Sequence, residues 1–316
     1  MNILMCNHHV PYIYMLAHTG HDFFVLNHTG RFWDLRMRPV PGNVHIIEGA
    51  LDSSLFFKDI ITGKLKIDRI ILQDAFAKTN QGTYLIDDVT TEYMNIPKIL
   101  LFHNSFQTNF NEPEMKEKIK EKTKGFKKVF ISEFKKKSWN EDGAVIKPGF
   151  DLEEWGGWRG IVNRGLVCLN NAMHRDFMNN TTKIRLVGVD YPINLLGEED
   201  GKGELANNFE HLKNYYKDFR WYICLNNPDY EDGYNLSMLE AMATGMPAVT
   251  LDHPSTPIKS GINGFKSDDI QAINKFLHTA TWEEAHNLGR QARETVKKEF
   301  PMDAFIDNWN KVLEMP

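Results

Sequence analysis

Residues 232–247, DGYNLSMLEAMATGMP, decide the reading of this chain. Asp232 and Gly233 mark a tight turn, where glycine relieves the steric limit on φ. NLSMLEAMA continues with good helix formers behind an Asn at its head. Gly245 and Pro247 stop that helix, and the apolar AVTL behind them reads as a buried strand. The N-terminus of a helix offers free N–H groups and a positive dipole end, a natural seat for phosphate. Asp232 lies just before that end and Glu240 lies on the helix itself. A phosphate cradle with an acid on either side of the first turns suits a nucleotide-sugar, one acid for the sugar and one for the ribose.

The stretch resembles the Glu-x7-Glu signature of retaining glycosyltransferase family 4, whose members typically read E-G-F-G-L-S-x-x-E-A-M-A-x-G-x-P. In this chain the first Glu is Asp232 and the second Gly of GFG is Asn235. Glu231 is adjacent, but Asp232 holds the register to Glu240. KKVFISEF resembles the family's V-I-A-V-S-E-F strand, and AVIKPGFDLEEW its V-I-P-N-G-V-D passage between domains. GINGF at 261–265 resembles its G-x-N-G-F turn. The likeness covers nearly the whole chain and is sharp over residues 226–265.

By this resemblance the fold is α/β of the GT-B type, two Rossmann-like domains facing each other across a cleft. Residues 1–150 become an acceptor-binding domain and 151–301 a nucleotide-sugar-binding domain. The last helix, within 302–316, is expected to pack back on the first domain through Phe305, Trp309 and Val312; packing on its own domain fits the pattern equally well. The implied activity moves a hexose, with retention, from a UDP- or GDP-linked donor to a glycan, lipid or other hydroxyl acceptor. No metal or other cofactor is implied. The acceptor attacks from the leaving-group face, and a diphosphate oxygen helps to take its proton. Two further readings stay open: a catalytically weak nucleotide-sugar-binding protein, and a glycosyltransferase acting on modified DNA. A phosphorylase-like or epimerase-like enzyme on the same fold is another.

Composition agrees with a soluble two-domain protein: 316 residues, 42% hydrophobic and 25% charged. No apolar run reaches the ~20 residues of a membrane span. The N-terminus MNILMCNHHV lacks the basic start and long apolar core of a signal peptide, so a cytoplasmic protein is expected, with peripheral membrane attachment left open. Cys6, Cys168 and Cys224 are scattered without zinc spacing and read as buried thiols in a reducing compartment. Residues 1–150 carry 20 Lys/Arg against 17 Asp/Glu, whereas 151–316 carry 17 against 25. Most of the positive excess lies in Lys116–Lys137.

Strand and helix signals alternate, which predicts parallel sheets. NILMC, the run ending DFFVL, DRIILQD (68–74), PKILLFH (97–103) and KKVFISEF read as strands of the first domain, the last leading into a loop. EPEMKEKIKEKTKGF reads as a charged helix ended by Gly125. GLVCLNN (165–171), KIRLVGVD (183–190), FRWYICLNN (219–227) and AVTLDHP (248–254) read as strands of the second domain, and PINLLGEEDGKGELANN as an exposed loop. Helices are expected near 282–298 and 302–314, and the domain boundary near Gly149–Trp155.

Several residues carry the expected chemistry. Glu240 can accept from ribose hydroxyls through charge-assisted bonds of about 1.5–3 kcal/mol each. Asp232, one methylene shorter than the family's Glu, takes the place of an acid that contacts the donor sugar; a plain turn or cap is its other reading. Gly233 and the backbone N–H groups of Tyr234, Asn235 and Leu236 are the diphosphate candidates. His103 ends an apolar strand, where open α/β sheets bind ligands, and stands as a catalytic candidate with Asp232. Relatives carry G-R-x4-K after the first strand of the second domain. Here Asn170 and Asn171 replace Gly and Arg, leaving Arg175 to offset leaving-group charge, with Lys183 a weaker substitute at a strand start. Where relatives have a glycine pair, His8 and His9 face acceptor or phosphate, or simply belong to the loop; their spacing makes no convincing metal site. The basic run Lys116–Lys137 reads first as a solvated helix and second as a contact for an anionic surface. Few apolar anchors (Met115, Ile119, Phe126) argue against lipid, and the negative total charge argues against a stable nucleic-acid partner.

Overall fold

Short apolar runs alternating with amphipathic segments build two all-parallel sheets, of seven and five strands. The structure, a computed structural model, describes residues 1–27, 32–73, 95–106, 113–170, 172, 175–197, 204–231 and 233–315. The chain divides into Met1–Lys147 with Phe305–Pro316, and Pro148–Ala304.

The first unit runs β1 (Asn2–Cys6), α1 (Val10–Ala17), β2 (Asp22–Leu26), β3 (Val44–Ile47), α2 (Gly49–Ile61), β4 (Arg69–Gln73), β5 (Lys98–Phe102), α3 (Pro113–Lys122), β6 (Lys127–Phe130), α4 (Glu133–Trp139) and β7 (Ala144–Val145). Its sheet order is β3-β2-β1-β4-β5-β6-β7. The central strands are covered on both faces, so NILMC and KILLF are continuously apolar rather than alternating. The segment after β6 is not a loop. Ser132 accepts from the Lys135 N–H at 3.2 Å and caps α4, which Asn140 ends in the left-handed region.

The second unit runs β8 (Val162–Cys168), α5 (Asp176–Asn179), α6 (Thr181–Asp190), β9 (Ile193–Leu196), α7 (Phe209–Asp218), β10 (Phe219–Cys224), α8 (Leu236–Thr244), β11 (Ala248–Thr250), β12 (Gly264–Lys266), α9 (Ile270–Thr279) and α10 (Trp282–Glu299). Its order is β12-β11-β10-β8-β9. Alternate residues feed two cores: Trp221, Ile223 and Val249 on one face, Tyr222, Cys224 and Ala248 on the other.

One expectation is overturned here. KIRLVGVD is helix α6, not a strand. Ile184 and Val187 are buried three positions apart, while Leu186 and Val189 are 53% and 79% exposed, which is helical spacing. Lys183 therefore sits in a helix rather than at a strand start. The strand is β9, inside the stretch expected to be a loop. It starts just after Pro192, whose ring favours extended backbone at Tyr191 (φ −121°, ψ 131°). As an edge strand of four residues it needs little apolar pattern.

The last helix, α11 (Met302–Glu314), buries Phe305, Trp309, Val312 and Leu313. Within the first unit, the Trp309 indole donates to the Tyr12 hydroxyl at 3.2 Å, and both Phe305 and Trp309 meet the Tyr12 ring edge-on. Arg69 and Lys127 donate to the carbonyls of Leu313 (3.0 Å) and Met315 (2.5 Å) at its C-terminal end. Trp309 is wholly buried, so Trp309→Ala is expected to destabilise the first unit by about 3–5 kcal/mol. Urea unfolding followed by circular dichroism measures this. An unchanged midpoint would show that α11 contributes nothing to that unit's stability.

Candidate functional site

In a parallel sheet every strand ends on the same edge, and ligands bind outside the carboxyl ends where the strand order reverses. Those reversals lie between β1 and β4 in the first unit, and between β8 and β10 in the second. His8, His9 and His103 lie near the first of these, and α8, which carries Glu240, follows β10 at the second.

In the second unit, α8 follows β10. Asn235 caps it by accepting the Met238 N–H at 3.0 Å, and Gly245 ends it at φ 97°. Cap and stop agree with the sequence reading, but the reason for Gly233 differs. Its φ is not positive; a Cβ there would lie 2.3–2.4 Å from the Cα and N of Thr256. Glycine is required because another backbone passes against it. That neighbouring loop is itself braced. Ser255 Oγ accepts the Gly233 N–H at 2.9 Å, and the Ser255 N–H donates to His253 Nδ1 at 3.1 Å. His253 thus carries its proton on Nε2, which donates to the Glu231 carbonyl at 2.6 Å. The Gly233 amide is therefore engaged within the protein. The Leu236 and Ser237 amides, at the first positions of α8, have no intrahelical acceptor. The Tyr234 ring packs edge-on against Phe300.

Glu240 lies on α8 and is 3% exposed. Its Oε2 accepts from the Tyr216 hydroxyl at 2.9 Å. Arg175 is exposed just before α5, with Nη2 3.6 Å from Met178 Sδ. Asp232 and Asn171 lie outside the described residues.

In the first unit, His103 follows β5 and is 5% exposed. Its Nε2 lies 2.7 Å from Gln73 Oε1, and Gln73 Nε2 donates to the Cys6 carbonyl at 3.2 Å. The Gln73 amide is thereby oriented, which puts the His103 proton on Nε2 and makes Nδ1 the acceptor nitrogen. His9 stacks on His103 at 5.1 Å between centroids, His8 at 6.4 Å, and Tyr12 meets it edge-on at 4.7 Å. Lys135 Nζ donates to the His103 carbonyl. Burial first, then the neighbouring His9, His8 and Lys135, hold the His103 pKa well below its usual 6.5. A neutral imidazole of this kind accepts a hydrogen bond but supplies no positive charge. His8, His9 and His103 are thus brought together.

Half of the lysines in the basic run are engaged inside the first unit. Lys116 donates to the Ser138 carbonyl at 2.8 Å, Lys127 to Met315, Lys136 to Gly143 at 2.9 Å, and Lys128 pairs with Glu141 at 2.8 Å. Lys118, Lys120, Lys124 and Lys137 are solvent-exposed. Among the described residues no cluster of His, Cys, Asp or Glu is arranged to hold a metal, and no helix is long and apolar enough to cross a membrane.

Sequence reading missed Gln73, Lys135, Tyr216, His253 and Ser255. Gln73 carried a signal, a polar residue closing the apolar strand RIILQ. Tyr216 carried none, because its partner lies 24 positions away.

No family model and no curated protein matches this chain. Solved structures do. HepE of Anabaena, in complex with UDP and glucose, superposes with a TM-score of 0.69 at 14% identity over 99% of both chains. A glycosyltransferase from Rickettsia africae gives 0.66 at 13% identity, over 99% of this chain and 97% of that one. TarM gives 0.59 at 16% identity, and there the match takes 78% of this chain but only 55% of the TarM chain. With identities this low the likeness speaks for the fold alone: this chain is built on the GT-B plan of two Rossmann-like α/β units that these glycosyltransferases share.

Proposed function

We propose that this chain is a retaining glycosyltransferase that moves a hexose from a nucleoside-diphosphate sugar to a hydroxyl acceptor. The observation that carries the reading is Glu240: a buried carboxylate on a capped helix, behind amides with no intrahelical acceptor, at the strand-order reversal of the second sheet. The second unit would hold the donor, with diphosphate on the Leu236 and Ser237 amides and ribose on Glu240. HepE, which shares the fold, was solved with UDP and glucose, and this supports a UDP-sugar as the first donor to try. Arg175 and the helix dipole would offset leaving-group charge, so the proposed reaction needs no metal. The first unit would hold a glycan or lipid-linked acceptor beside the His8–His9–His103 group. Neutral His103 suits an acceptor of a hydrogen bond from the incoming hydroxyl. The proton then passes to a diphosphate oxygen as the glycosidic bond breaks. The protein is proposed to work in the cytoplasm.

Incubation with a panel of nucleotide-sugars, following nucleotide release with and without glycan and lipid-linked acceptors, tests the reading. Turnover supports the transferase. Tight binding without turnover favours the weak binding protein, a reading motivated by Asn170 and Asn171 where relatives carry Gly and Arg.

Glu240→Ala is expected to weaken donor binding more than about tenfold while the fold survives, through loss of charge-assisted bonds to ribose. Titration calorimetry decides it, and an unchanged affinity would remove Glu240 from the donor site.

Asp232 is expected to act on the sugar while charge develops, so Asp232→Asn should lower kcat more than donor affinity. Asp232→Glu restores the residue usual in the resembled family and should shift preference among donor sugars. If both variants turn over every accepted donor like the parent, Asp232 is only a turn residue.

The exposed lysines test an anionic acceptor or surface. Lys118→Gln, Lys120→Gln and Lys124→Gln together remove charge without touching the lysines that hold the first unit. An anionic acceptor, modified DNA included, should then be used less well, and salt should inhibit the parent strongly. Donor hydrolysis should stay as it was. Equal activity on every acceptor at low and moderate salt would leave those lysines as plain solvated surface.

A further inference from the structure

We propose that Tyr216 is a positioning residue for donor binding, its phenol fixing the Glu240 carboxylate in the orientation that meets the ribose. The inference rests on the donor reading above. Tyr216 comes from α7 and Glu240 from α8, so the contact ties together two helices that pack on the same face of the second sheet. Both side chains are buried, and the hydroxyl donates to Oε2 at 2.9 Å. The Tyr216 ring is itself held, with Trp155 across it at 5.9 Å between centroids. The surroundings contain further neutral polar groups. Ser237, Tyr222 and Cys168, the last at the end of β8, lie close enough to Tyr216 to influence one another's protonation. Burial is the largest influence on the two phenols and the thiol. It drives the phenols well above 10 and the Cys168 thiol up to about 12. At neutral pH each therefore keeps its proton and stays neutral beside the Glu240 carboxyl group.

A buried carboxylate with one strong fixed donor loses rotational freedom before ligand arrives, and preorganisation of this kind appears as affinity. Removing only the hydroxyl, with the ring left in place, separates this role from simple filling of the core.

The experiment uses the full chain. UDP, GDP and ADP are titrated into the parent by calorimetry, and the tightest is carried forward with its 2′,3′-dideoxy analogue. Tyr216→Phe is expected to weaken the ribonucleotide about tenfold, the scale of one hydrogen bond to a charged group, and to leave the dideoxy analogue's affinity unchanged. In a Glu240→Ala background, Tyr216→Phe should cost nothing further, and in turnover it should raise the donor KM with kcat kept. Thermal melting checks that the variant is folded. Equal ribonucleotide affinity in parent and variant, or an equal loss with the dideoxy analogue, overturns the positioning role and leaves the donor reading standing. Failure of the parent to bind any of the three diphosphates overturns the donor reading, and this inference with it.

Discussion

Parallel strand pairing is the constraint from which the candidate sites follow. Because every strand of a unit runs the same way, all strand ends lie along one edge of its sheet, and the chain must cross back through a helix before the next strand. Each crossing puts a loop, and often a helix N-terminus, on that edge. The buried apolar middles of the strands offer no polar side chain, so chemistry begins towards their ends. Cys6, Gln73 and Phe102 close β1, β4 and β5, and the residues that follow or close those strands are His8, His9, Gln73 and His103. The same rule in the second unit puts Cys168 at the end of β8 and the Gly233–Glu240 segment after β10. Packing decides where the edges are; chemistry takes the places left over.

The two units solve burial of a polar group in opposite ways. In the first, three imidazoles lie face to face, and removal from water makes a charged imidazolium at His103 too costly. Gln73 then fixes which nitrogen keeps the proton. In the second, a carboxylate is kept in a buried position by a protonated hydroxyl pointed at it. One unit therefore presents a neutral acceptor, the other an oriented acid beside the positive end of a helix. A diphosphate-linked sugar has complementary parts, an anionic linker and neutral hydroxyls.

Much of this was legible in the sequence wherever a local rule sufficed. Asn235, Gly245 and Pro247 bound a helix of nine residues because capping and stopping depend on neighbours along the chain. Apolar runs such as KILLF gave the central strands for the same reason. Local rules failed where a partner is distant. KIRLVGVD has the β-branched content of a strand, yet Ile184 and Val187 face the sheet only as a helix can make them. β9 is recognisable chiefly through its pairing with β8. Gly233 was correctly marked but for the wrong reason, since nothing in DGY announces that Thr256 will pass within 2.3 Å of a would-be Cβ.

The lysines carry that point into electrostatics. A charge count over Lys116–Lys137 describes a basic helix waiting for an anion, yet charge is only available to a partner if the fold has not already used it. Lys127 is drawn to the carbonyl end of α11, Lys116 and Lys136 to the carbonyls of Ser138 and Gly143, and Lys128 to Glu141. These lysines then act as fasteners whose removal would alter packing as well as field. The exposed lysines of the run are Lys118, Lys120 and Lys122 on α3, Lys124 just after it and Lys137 on α4. On α3, Glu117 and Glu121 stand among these lysines and lower the local positive potential. A long-range pull on a polyanion is therefore weaker than the sequence count implies.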